Sequence, residues 1–266
     1  MDEIRVGQIV EEVAKEGGEQ LKRYFKTSFR VDQKDDDSLV TEADLASEKA
    51  IIHKITEHFP NDLIFSEEAG KSSLDRTPGT YVWIIDPLDG TTNFTFGYDF
   101  FCVSIARGVF TNQGTIDVQQ GAIYEPIRDK MYFAQKGGGA FCNGQPIRTR
   151  EAHSFPKSFL VTGFYYNQGV ALEQDVARFR RVADACQNIR RDGAAALDLA
   201  LVAEGIFHGF WEKGLQPWDM AAGSLLVKEA SGFIRTYESE DWHPEAETII
   251  AGNKKTVTSL AELIET

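Results

Sequence analysis

The chain has 266 residues, of which 28 are Lys or Arg and 41 are Asp or Glu, so its formal net charge is −13. Its hydrophobic fraction of 42% is typical of a globular protein and excludes a disordered or collagen-like chain. No stretch approaches the ~18 uncharged apolar residues of a transmembrane helix. The excess of acid argues against nucleic-acid and anionic-membrane partners.

Cysteine usage and the first residues together predict a cytoplasmic protein. Cys102, Cys142 and Cys186 are odd in number and far apart, which disfavours a disulfide framework or a zinc site. Residues 1–3 carry acid where a signal or transit peptide carries base. We therefore expect reduced thiols in the core of a cytoplasmic protein.

The chain opens with an amphipathic pattern. Apolar residues recur at three- and four-residue steps, which predicts a helix over roughly residues 3 to 26. Gly17 and Gly18 are expected to weaken its middle by about 1 kcal/mol each relative to Ala. The polar segment that follows, residues 31–38, predicts an exposed loop.

A second helix is predicted from Thr41 to just before Pro60, because the residue before a proline disfavours helix. Four apolar residues are expected on its inner face: Leu45, Ile52, Ile55 and Phe59. From about residue 63 to 147 the sequence changes to short β-rich runs separated by turns. Strands are expected at 81–85 and 101–105, and as a hairpin of 121–124 with 130–134 joined at Pro126.

After about residue 150 strands and helices alternate. Strands are expected at residues 160–162, 205–211 and 249–251. Helices are expected at residues 173–187, 194–203 and 218–230 and at the end of the chain. Because no flexible linker is visible, we expect one unit over residues 1–266, with approximate halves at 1–150 (two helices and an antiparallel sheet) and 151–266 (alternating helices and strands).

The most informative segment joins a hydrophobic strand to two acids. Asp86 and Asp89 are expected to emerge where the strand ends, with Pro87 stiffening the turn between them. Carboxylates three residues apart on a turn can face one point, as a hard cation such as Mg²⁺ requires. Gly90 allows close backbone approach, and a helix opened by Thr91 would point N–H groups at an anion. Ordinary turn chemistry explains an Asp-Gly pair alone but not this whole string.

Two further acidic motifs have both a metal-binding and a structural interpretation. Glu67 follows a short apolar strand, where a carboxylate suits metal ligation, but a surface acidic pair with Glu68 explains the same pattern. Asp219 lies near the start of a predicted helix, where an acid also satisfies free N–H groups and the helix dipole. Each motif by itself leaves both interpretations open.

Together these motifs resemble the inositol monophosphatase family, within the wider lithium-sensitive, Mg²⁺-dependent phosphatase superfamily. The resemblance covers essentially the whole chain. Its motifs lie at residues 36–44, 67–68, 86–92, 136–144 and 218–223. It implies an α/β (α+β) fold, namely the layered α-β-α-β-α sandwich of the inositol monophosphatase and fructose-1,6-bisphosphatase type, and a homodimer.

The resemblance implies metal ligands as well. Glu67, Asp86 and the Leu88 carbonyl would bind a first ion. Asp86, Asp89 and Asp219 would bind a second ion, with Asp86 shared between the two. The second ion would stabilise the departing alkoxide.

The catalytic residues that the resemblance implies are Asp44, Glu67 and Thr91. A third, weaker ion near Glu67 would carry the attacking water, which Asp44 and Thr91 would orient and deprotonate. Thr41 and Asp44 also match an acidic variant of the capping box, so a helix start without catalytic duty is the alternative. The two roles are compatible, because capping would fix the position of the carboxylate.

Charge counting bears on the number of ions. Five acids at the site bring five negative charges, so two Mg²⁺ ions leave −1 and three leave +1. Lys34 in the polar loop would add another positive charge. We therefore expect two to three Mg²⁺ ions per site, with productive binding requiring about three, or metal arriving with the substrate.

Substrate contacts are also implied by the resemblance: Glu67, Leu88, Asp89, Gly90, Thr91, Gly193, Ala195, Glu212 and Asp219. Glu212 occupies the place of an acid that contacts substrate hydroxyls, with a solvated strand-end charge as the alternative. Asp192 and Ala194 stand where many bacterial relatives carry Thr or Leu and Ser, and Gln216 where they often carry Arg. These departures remove or oppose positive charge at the pocket rim, which leaves the substrate open.

The predicted function is Mg²⁺-dependent hydrolysis of a small phosphate monoester. The preferred substrate is myo-inositol monophosphate, and the alternatives are fructose 1,6-bisphosphate, histidinol phosphate and other small phosphates. The nearest rival chemistry is a haloacid-dehalogenase-type phosphatase, whose Asp-x-Asp-Gly-Thr motif uses an aspartyl nucleophile. Here the two acids are three residues apart, and they lie near residue 86 rather than on the first strand. A regulatory binding protein on a phosphatase fold is the rival from another class, although every ligand acid is present.

Overall fold

The computed structural model describes residues 2–33, 39–68, 75–151, 154–164 and 169–265. The helices in these ranges are α1 (Glu3–Tyr24), α2 (Glu42–His58), α3 (Thr91–Thr95), α4 (Val170–Ala185), α5 (Ala195–Ala203), α6 (Pro217–Glu229) and α7 (Lys254–Ile264), with a 3₁₀ turn at Phe155–Lys157. Among the residues described, no helix combines the length and the apolar character needed to cross a membrane.

Three sheets are formed by the strands of the described residues. A two-stranded sheet pairs β1 (Val31–Gln33) with β2 (Leu39–Thr41). A seven-stranded sheet runs, in spatial order, through β3 (Leu63–Ser66), β4 (Tyr81–Asp89), β5 (Cys102–Phe110), β6 (Ile116–Glu125), β7 (Lys130–Gln135), β8 (Gly139–Cys142) and β9 (Gln145–Pro146). A five-stranded sheet has the order β11-β10-β12-β14-β13, from β10 (Phe159–Thr162), β11 (Asn188–Arg190), β12 (Gly209–Lys213), β13 (Phe233–Arg235) and β14 (Thr248–Gly252).

The helices and the two large sheets stack in five layers. Helices α1 and α2 cover one face of the seven-stranded sheet, while α6 lies on strands β4 to β7 and, beside it, α5 contacts β12 and β14 of the five-stranded sheet. Helices α4 and α7 pack together, with α7 on strands β12 to β14. Apolar burial follows the layers, with one cluster under α1 and α2, one around α5 and α6, and one under α7. The predicted α-β-α-β-α sandwich is confirmed.

The paired glycines of α1 have a packing role that helix propensity does not reveal. A Cβ on Gly17 would lie 2.6 Å from Ile51 Cδ1 on α2, and one on Gly18 would collide with the ring of Tyr124 on β6. Both glycines are buried. Their absent side chains therefore let α1 approach its neighbours closely.

Two expectations for the N-terminal region are wrong. Residues 31–33 are not a loop, because they form β1, which pairs antiparallel with β2; residues 34–38 lie outside the described residues. Leu45 does not face inward and is 54% exposed. The buried stripe of α2 instead follows four-residue steps that include two small side chains, Ala43, Ser47, Ile51 and Ile55.

The motif of three glycines at residues 137–139 has a structural partner. The Glu229 carboxylate, at the end of α6, accepts hydrogen bonds from the N–H groups of Gly137 at 2.8 Å and Gly139 at 2.9 Å. Lys136 pairs with Asp117 on the neighbouring strand. This motif therefore fastens the β7–β8 turn to α6.

Candidate active site

A cleft of about 550 Å³ lies where the end of β4 meets the first turns of α5 and α6. It brings together ten of the residues selected from the sequence: Glu67, Asp86, Leu88, Asp89, Gly90, Thr91, Gly193, Ala195, Glu212 and Asp219. Asp44 does not line the cleft and reaches it through Thr91. Residues that lie more than 120 positions apart in the chain, such as Asp86 and Glu212, thus meet at one site.

The acids of the central motif lie within an irregular strand end and not beyond it. Strand β4 continues through Pro87 to Asp89, and its pairing with β5 breaks between Asp86 and Asp89. Proline has no N–H to donate, so the ladder is interrupted there. Leu88 N–H donates to Asp86 Oδ1 at 3.0 Å, which orients that carboxylate.

Asp89, at the end of β4, is tied to the start of α5. Its Oδ2 accepts hydrogen bonds from the N–H of Ala196 at 2.8 Å and of Leu197 at 3.4 Å, in the first turn of α5. The helix has no capping side chain of its own at Ala194. Asp89 therefore supplies the acceptor that the helix start needs, and the helix fixes the carboxylate.

The other two acids are also held by backbone geometry. Glu67 lies one residue beyond β3, and its N–H donates to the Ile85 carbonyl at 3.1 Å, which places it beside the end of β4. Asp219 is the third residue of α6, and its Oδ2 accepts a hydrogen bond from Gln216 N–H at 2.7 Å. Asp219 therefore satisfies an N–H group at the start of α6, and it also lines the cleft.

Asp44 is fixed by the start of α2 and contacts Thr91. Thr41 caps the helix, and its N–H and hydroxyl donate to Asp44 Oδ2 at 2.8 and 2.5 Å. The Thr91 hydroxyl lies 3.2 Å from Asp44 Oδ1 and 3.0 Å from the Leu88 carbonyl, so it can donate a hydrogen bond to either oxygen. Burial, against these hydrogen bonds, raises the pKa of Asp44 to about 6. The capping interpretation is correct, and it orients the carboxylate toward Thr91.

Burial and the charges of neighbouring acids raise the pKa values of three acids of the cleft, Asp86, Asp89 and Asp219. Burial, followed by the charges of the other three acids, raises the pKa of Asp86 well above its ordinary value. Burial likewise raises the pKa of Asp219, with the charges of Asp89 and Glu67 as further causes. Burial raises the pKa of Asp89 to about 6, against the opposing effect of the N–H groups of α5. A cation would relieve this repulsion.

The donor set matches the chemistry of a hard divalent ion. Four carboxylates and the Leu88 carbonyl are all oxygen donors, which Mg²⁺ and Ca²⁺ prefer. Among the described residues no group of three Asp, Glu, His or Cys side chains has the arrangement of a ready metal site. Three of the carboxylates, on Asp86, Asp89 and Asp219, are turned toward backbone N–H groups.

The far end of the cleft is built around Glu212. This residue lies on β12 and is 8% exposed, and burial, followed by the charge of Asp89, raises its pKa to about 8. A Cβ on Gly163 would collide with the Glu212 carboxylate, so that glycine leaves room for it. Arg191 lines the same end of the cleft, and its positive charge partly offsets the rise in the pKa of Glu212. Glu212 is buried in the cleft wall, in contrast to a solvated strand-end charge.

Sequence reasoning missed three polar residues of the cleft. Asn93 Nδ2 donates to the carbonyls of Phe100 and Asp192, both at 2.8 Å, and so ties α3 to the start of α5. Asp198 is a buried acid on α5, and Arg191 is an exposed cation at the rim. An acid inside an otherwise apolar helix was the one signal available for Asp198.

The residues at which the sequence departs from many relatives are also placed. Gln216 lines the cleft beside Asp219, and Ala194 lies at the start of α5. Asp192 precedes Gly193 at the rim but does not line the cleft. Lys34 and the first three residues of the motif at 36–44, Asp36, Asp37 and Ser38, lie outside the described ranges.

Comparison with known proteins gives consistent matches over the whole chain. The model of the inositol monophosphatase family matches residues 3–266. The chain is 38% identical over 237 residues to the Nus factor SuhB of Pseudomonas aeruginosa, covering 88% of this chain and 86% of that one. It is 38% identical over 226 residues to the inositol-1-monophosphatase of Synechocystis sp., covering 85% and 76%. The crystal structure of the extragenic suppressor protein suhB from Bartonella henselae superposes with a TM-score of 0.89 at 35% identity, covering 98% and 99%.

The layered fold, the acid-lined cleft and these matches define a phosphatase of the metal-dependent class. The chain belongs to the inositol monophosphatase family. The resemblance found in the sequence is thereby confirmed.

Proposed function

We propose that the chain hydrolyses a phosphate monoester with the help of Mg²⁺, and that its preferred substrate is myo-inositol 1-phosphate, cleaved to inositol and phosphate. One observation carries the proposal: the convergence of four acids and one carbonyl on a single cleft. These groups belong to Glu67, Asp86, Leu88, Asp89 and Asp219. The name of the Synechocystis relative, inositol-1-monophosphatase, supports the choice of substrate.

These five residues would hold two to three Mg²⁺ ions. Phosphate monoesters hydrolyse extremely slowly without help, so the site must supply both charge stabilisation and an activated water. Bound Mg²⁺ supplies Lewis-acid stabilisation of the developing charge and acidifies a water molecule. Backbone hydrogen bonds to Asp86, Asp89 and Asp219 orient carboxylates that would bind the ions.

Asp44 and Thr91 orient and deprotonate the attacking water. The Thr91 hydroxyl lies between Asp44 and the Leu88 carbonyl, so it connects a buried base with the edge of the cleft. A pKa of about 6 for Asp44, raised by burial, suits a general base that works near neutral pH. Thr41 holds that base in place.

The alcohol that leaves lies toward Glu212, Gly193 and Ala195. Glu212 is a buried carboxylate that faces the cleft and suits hydrogen bonds from the hydroxyls of a sugar or cyclitol. Fructose 1,6-bisphosphate, histidinol phosphate and other small phosphates are the alternatives. A homodimer, lithium sensitivity and a cytoplasmic location stay predictions.

A substrate panel tests the proposed function. Phosphate release would be measured from inositol 1-phosphate, fructose 1,6-bisphosphate, histidinol phosphate and 3′-phosphoadenosine nucleotides, with and without Mg²⁺ and Li⁺. We expect the highest kcat/KM for inositol 1-phosphate, no turnover after chelation, and inhibition by Li⁺. A higher kcat/KM for another phosphate of the panel would show that this phosphate, and not inositol 1-phosphate, is the preferred substrate.

The same panel separates the rival functions. A protein that only binds, the alternative supported by the name Nus factor of the Pseudomonas relative, would release phosphate from no member at any Mg²⁺ concentration. An aspartyl-nucleophile phosphatase would yield a covalent phosphate on Asp86 after acid quenching. Catalysis by water attack leaves Asp86 unmodified.

A further inference from the structure

Ser47 lies in the second turn of α2, and its hydroxyl bonds to a different element. A serine inside a helix commonly faces solvent or donates to the carbonyl four residues earlier. Ser47 is instead completely buried, and its Oγ donates to the Pro87 carbonyl of β4 at 2.8 Å. Gly17 of α1 leaves room for this hydroxyl, since a Cβ on Gly17 would lie 2.8 Å from Ser47 Oγ. The hydroxyl is therefore enclosed between α1 and β4.

The Pro87 carbonyl belongs to the irregular end of β4. In the described part of the ladder neither Pro87 nor Leu88 has a register partner on β5, and the pairing of β4 with β3 ends at Ile85. Both residues are buried, and a buried carbonyl without a hydrogen bond is costly. Ser47 therefore supplies the donor that the strand ladder does not.

The peptide unit that Ser47 contacts is also the one that orients Asp86. The Pro87 carbonyl and the Leu88 N–H belong to one planar trans peptide unit, in which the two groups point in opposite directions. Ser47 Oγ donates to the oxygen end at 2.8 Å, and Asp86 Oδ1 accepts from the nitrogen end at 3.0 Å. Because the unit is rigid, a rotation that breaks one of these bonds also displaces the other. The orientation of the Asp86 carboxylate thus depends on Ser47.

Helix α2 contacts the other end of the same motif as well. Asp44 precedes Ser47 by three residues, so both side chains lie on one face of the helix. The Thr91 hydroxyl lies 3.2 Å from Asp44 Oδ1, just as the Pro87 carbonyl lies 2.8 Å from Ser47 Oγ. One helix therefore fixes both ends of the segment from Pro87 to Thr91.

We propose that Ser47 is a positioning residue that acts through the Pro87–Leu88 peptide and orients the Asp86 carboxylate for Mg²⁺. Ser47 does not line the cleft, and it lies outside the sequence motifs of the site. The inference rests on the proposed Mg²⁺-dependent function and adds to it a residue that holds one of the ligands from behind.

The test compares Ser47→Ala with a matched control. Ser47→Ala removes the hydroxyl and nothing else. Ser224→Ala removes the hydroxyl of another buried serine, which donates to the Ala221 carbonyl at 2.8 Å and does not line the cleft. Three quantities would be measured on chelated protein: the dissociation constant of Mg²⁺ by calorimetry, hydrogen exchange of the Leu88 amide without metal, and the temperature of thermal unfolding.

We expect Ser47→Ala to weaken Mg²⁺ binding by about tenfold, as the loss of groups that orient metal ligands does. The Mg²⁺ concentration that gives half-maximal turnover of inositol 1-phosphate should rise by the same factor. The Leu88 amide should exchange faster in Ser47→Ala than in Ser224→Ala, because its peptide unit has lost one of its two contacts. Ser224→Ala should bind Mg²⁺ as the parent does, even where its unfolding temperature falls.

A purely structural role would lower the unfolding temperature of Ser47→Ala and leave its Mg²⁺ affinity within about twofold of the parent. That result, or equal weakening of Mg²⁺ binding in Ser224→Ala, would overturn the inference while leaving the phosphatase function intact. A parent protein that binds no Mg²⁺ and releases no phosphate would instead overturn the proposed function on which the inference rests.

Discussion

At the scale of single residues, most of the site chemistry depends on hydrogen bonds from the backbone. Three carboxylates each accept a hydrogen bond from a main-chain N–H group. For Asp86 and Asp219 the donor lies two or three residues away in the chain, and for Asp89 it lies in the first turn of α5. Such bonds orient a carboxylate without adding a competing positive charge. The backbone therefore fixes the orientation of these three carboxylates in the structure without a cation.

Thr91 gives the sharpest test at this scale. Thr91→Val keeps the shape of the side chain but removes the hydroxyl that contacts Asp44 and the Leu88 carbonyl. We expect kcat for inositol 1-phosphate at saturating Mg²⁺ to fall by about 100-fold or more, because proton transfer loses its positioned partner. Thr91→Ser, which restores a hydroxyl, is the control and should recover most of the activity. Equal activity of the Val and Ser variants would contradict the role of Thr91.

The residues that sequence reasoning found and missed differ in one physical respect. Asp86 and Asp89 stand in a local motif with recognisable chemistry, whereas Asn93 donates to a carbonyl 99 residues along the chain and Asp198 meets the acids of other elements only in the fold. Pairing across such distances has no signature in a single sequence. An Asn that donates to a distant carbonyl looks the same in the sequence as any surface amide.

At the scale of elements, side-chain size misled the periodicity analysis. The buried stripe of α2 includes Ala43 and Ser47, so the larger Leu45 beside it was assigned to the inner face although it is exposed. Strand β1 is three exposed residues long, too short for an alternating pattern. The long elements α1, α2 and the β6–β7 hairpin were predicted correctly because their patterns extend over several repeats.

Gly18 tests the packing of α1. Ala has the higher helix propensity by about 1 kcal/mol, but a Cβ on Gly18 would meet the buried Tyr124 ring. We expect Gly18→Ala to lower the free energy of unfolding by about 1–2 kcal/mol, since overpacking outweighs propensity. Urea unfolding monitored by circular dichroism measures this change.

Gly7→Ala is the matched control on the same helix. A Cβ there would lie 2.8 Å from the tip of the Phe133 ring, which is only half-buried and has room to move. We expect its unfolding free energy to stay within about 0.5 kcal/mol of the parent. A Gly18→Ala variant more stable than the parent would show that α1 does not need this close approach.

At the scale of the whole molecule, the net charge of −13 overstates what a phosphate meets. Five acids, Asp44 and the four carboxylates proposed as metal ligands, meet at or directly behind one cleft, where bound cations would reverse the local sign. The remaining surface charge is screened beyond about 8–10 Å at ordinary salt. The division into halves at residue 150 stays a proposal, since the α5–α6 layer joins both large sheets.

The buried acids predict how stability depends on pH. Burial raises the pKa of Glu212 to about 8 and the pKa of Asp44 and Asp89 to about 6, above their unfolded values near 4. A carboxyl group with a raised folded-state pKa stabilises the fold fully below its unfolded pKa, and that stability is lost as pH rises through the folded pKa. Metal-free protein should therefore lose stability between pH 5 and pH 8.5.

Thermal unfolding of the metal-free protein across this range measures the effect, and Mg²⁺ should restore stability at pH 8 by compensating the ionised acids. The Glu212→Gln variant should lose less stability between pH 7 and pH 8.5 than the parent. Identical pH profiles for parent and variant would contradict the raised pKa of Glu212.

The central claim is that the acids of one cleft make this chain a Mg²⁺-dependent phosphatase. Its most direct test is phosphate release from inositol 1-phosphate during a Mg²⁺ titration of chelated protein, for the parent, Asp89→Asn and Asp117→Asn, an acid paired with Lys136 away from the cleft. We predict no turnover without Mg²⁺, a loss of about 100-fold or more in Asp89→Asn, and parent activity in Asp117→Asn. Parent-level turnover by Asp89→Asn, or activity of the chelated parent, would contradict the claim.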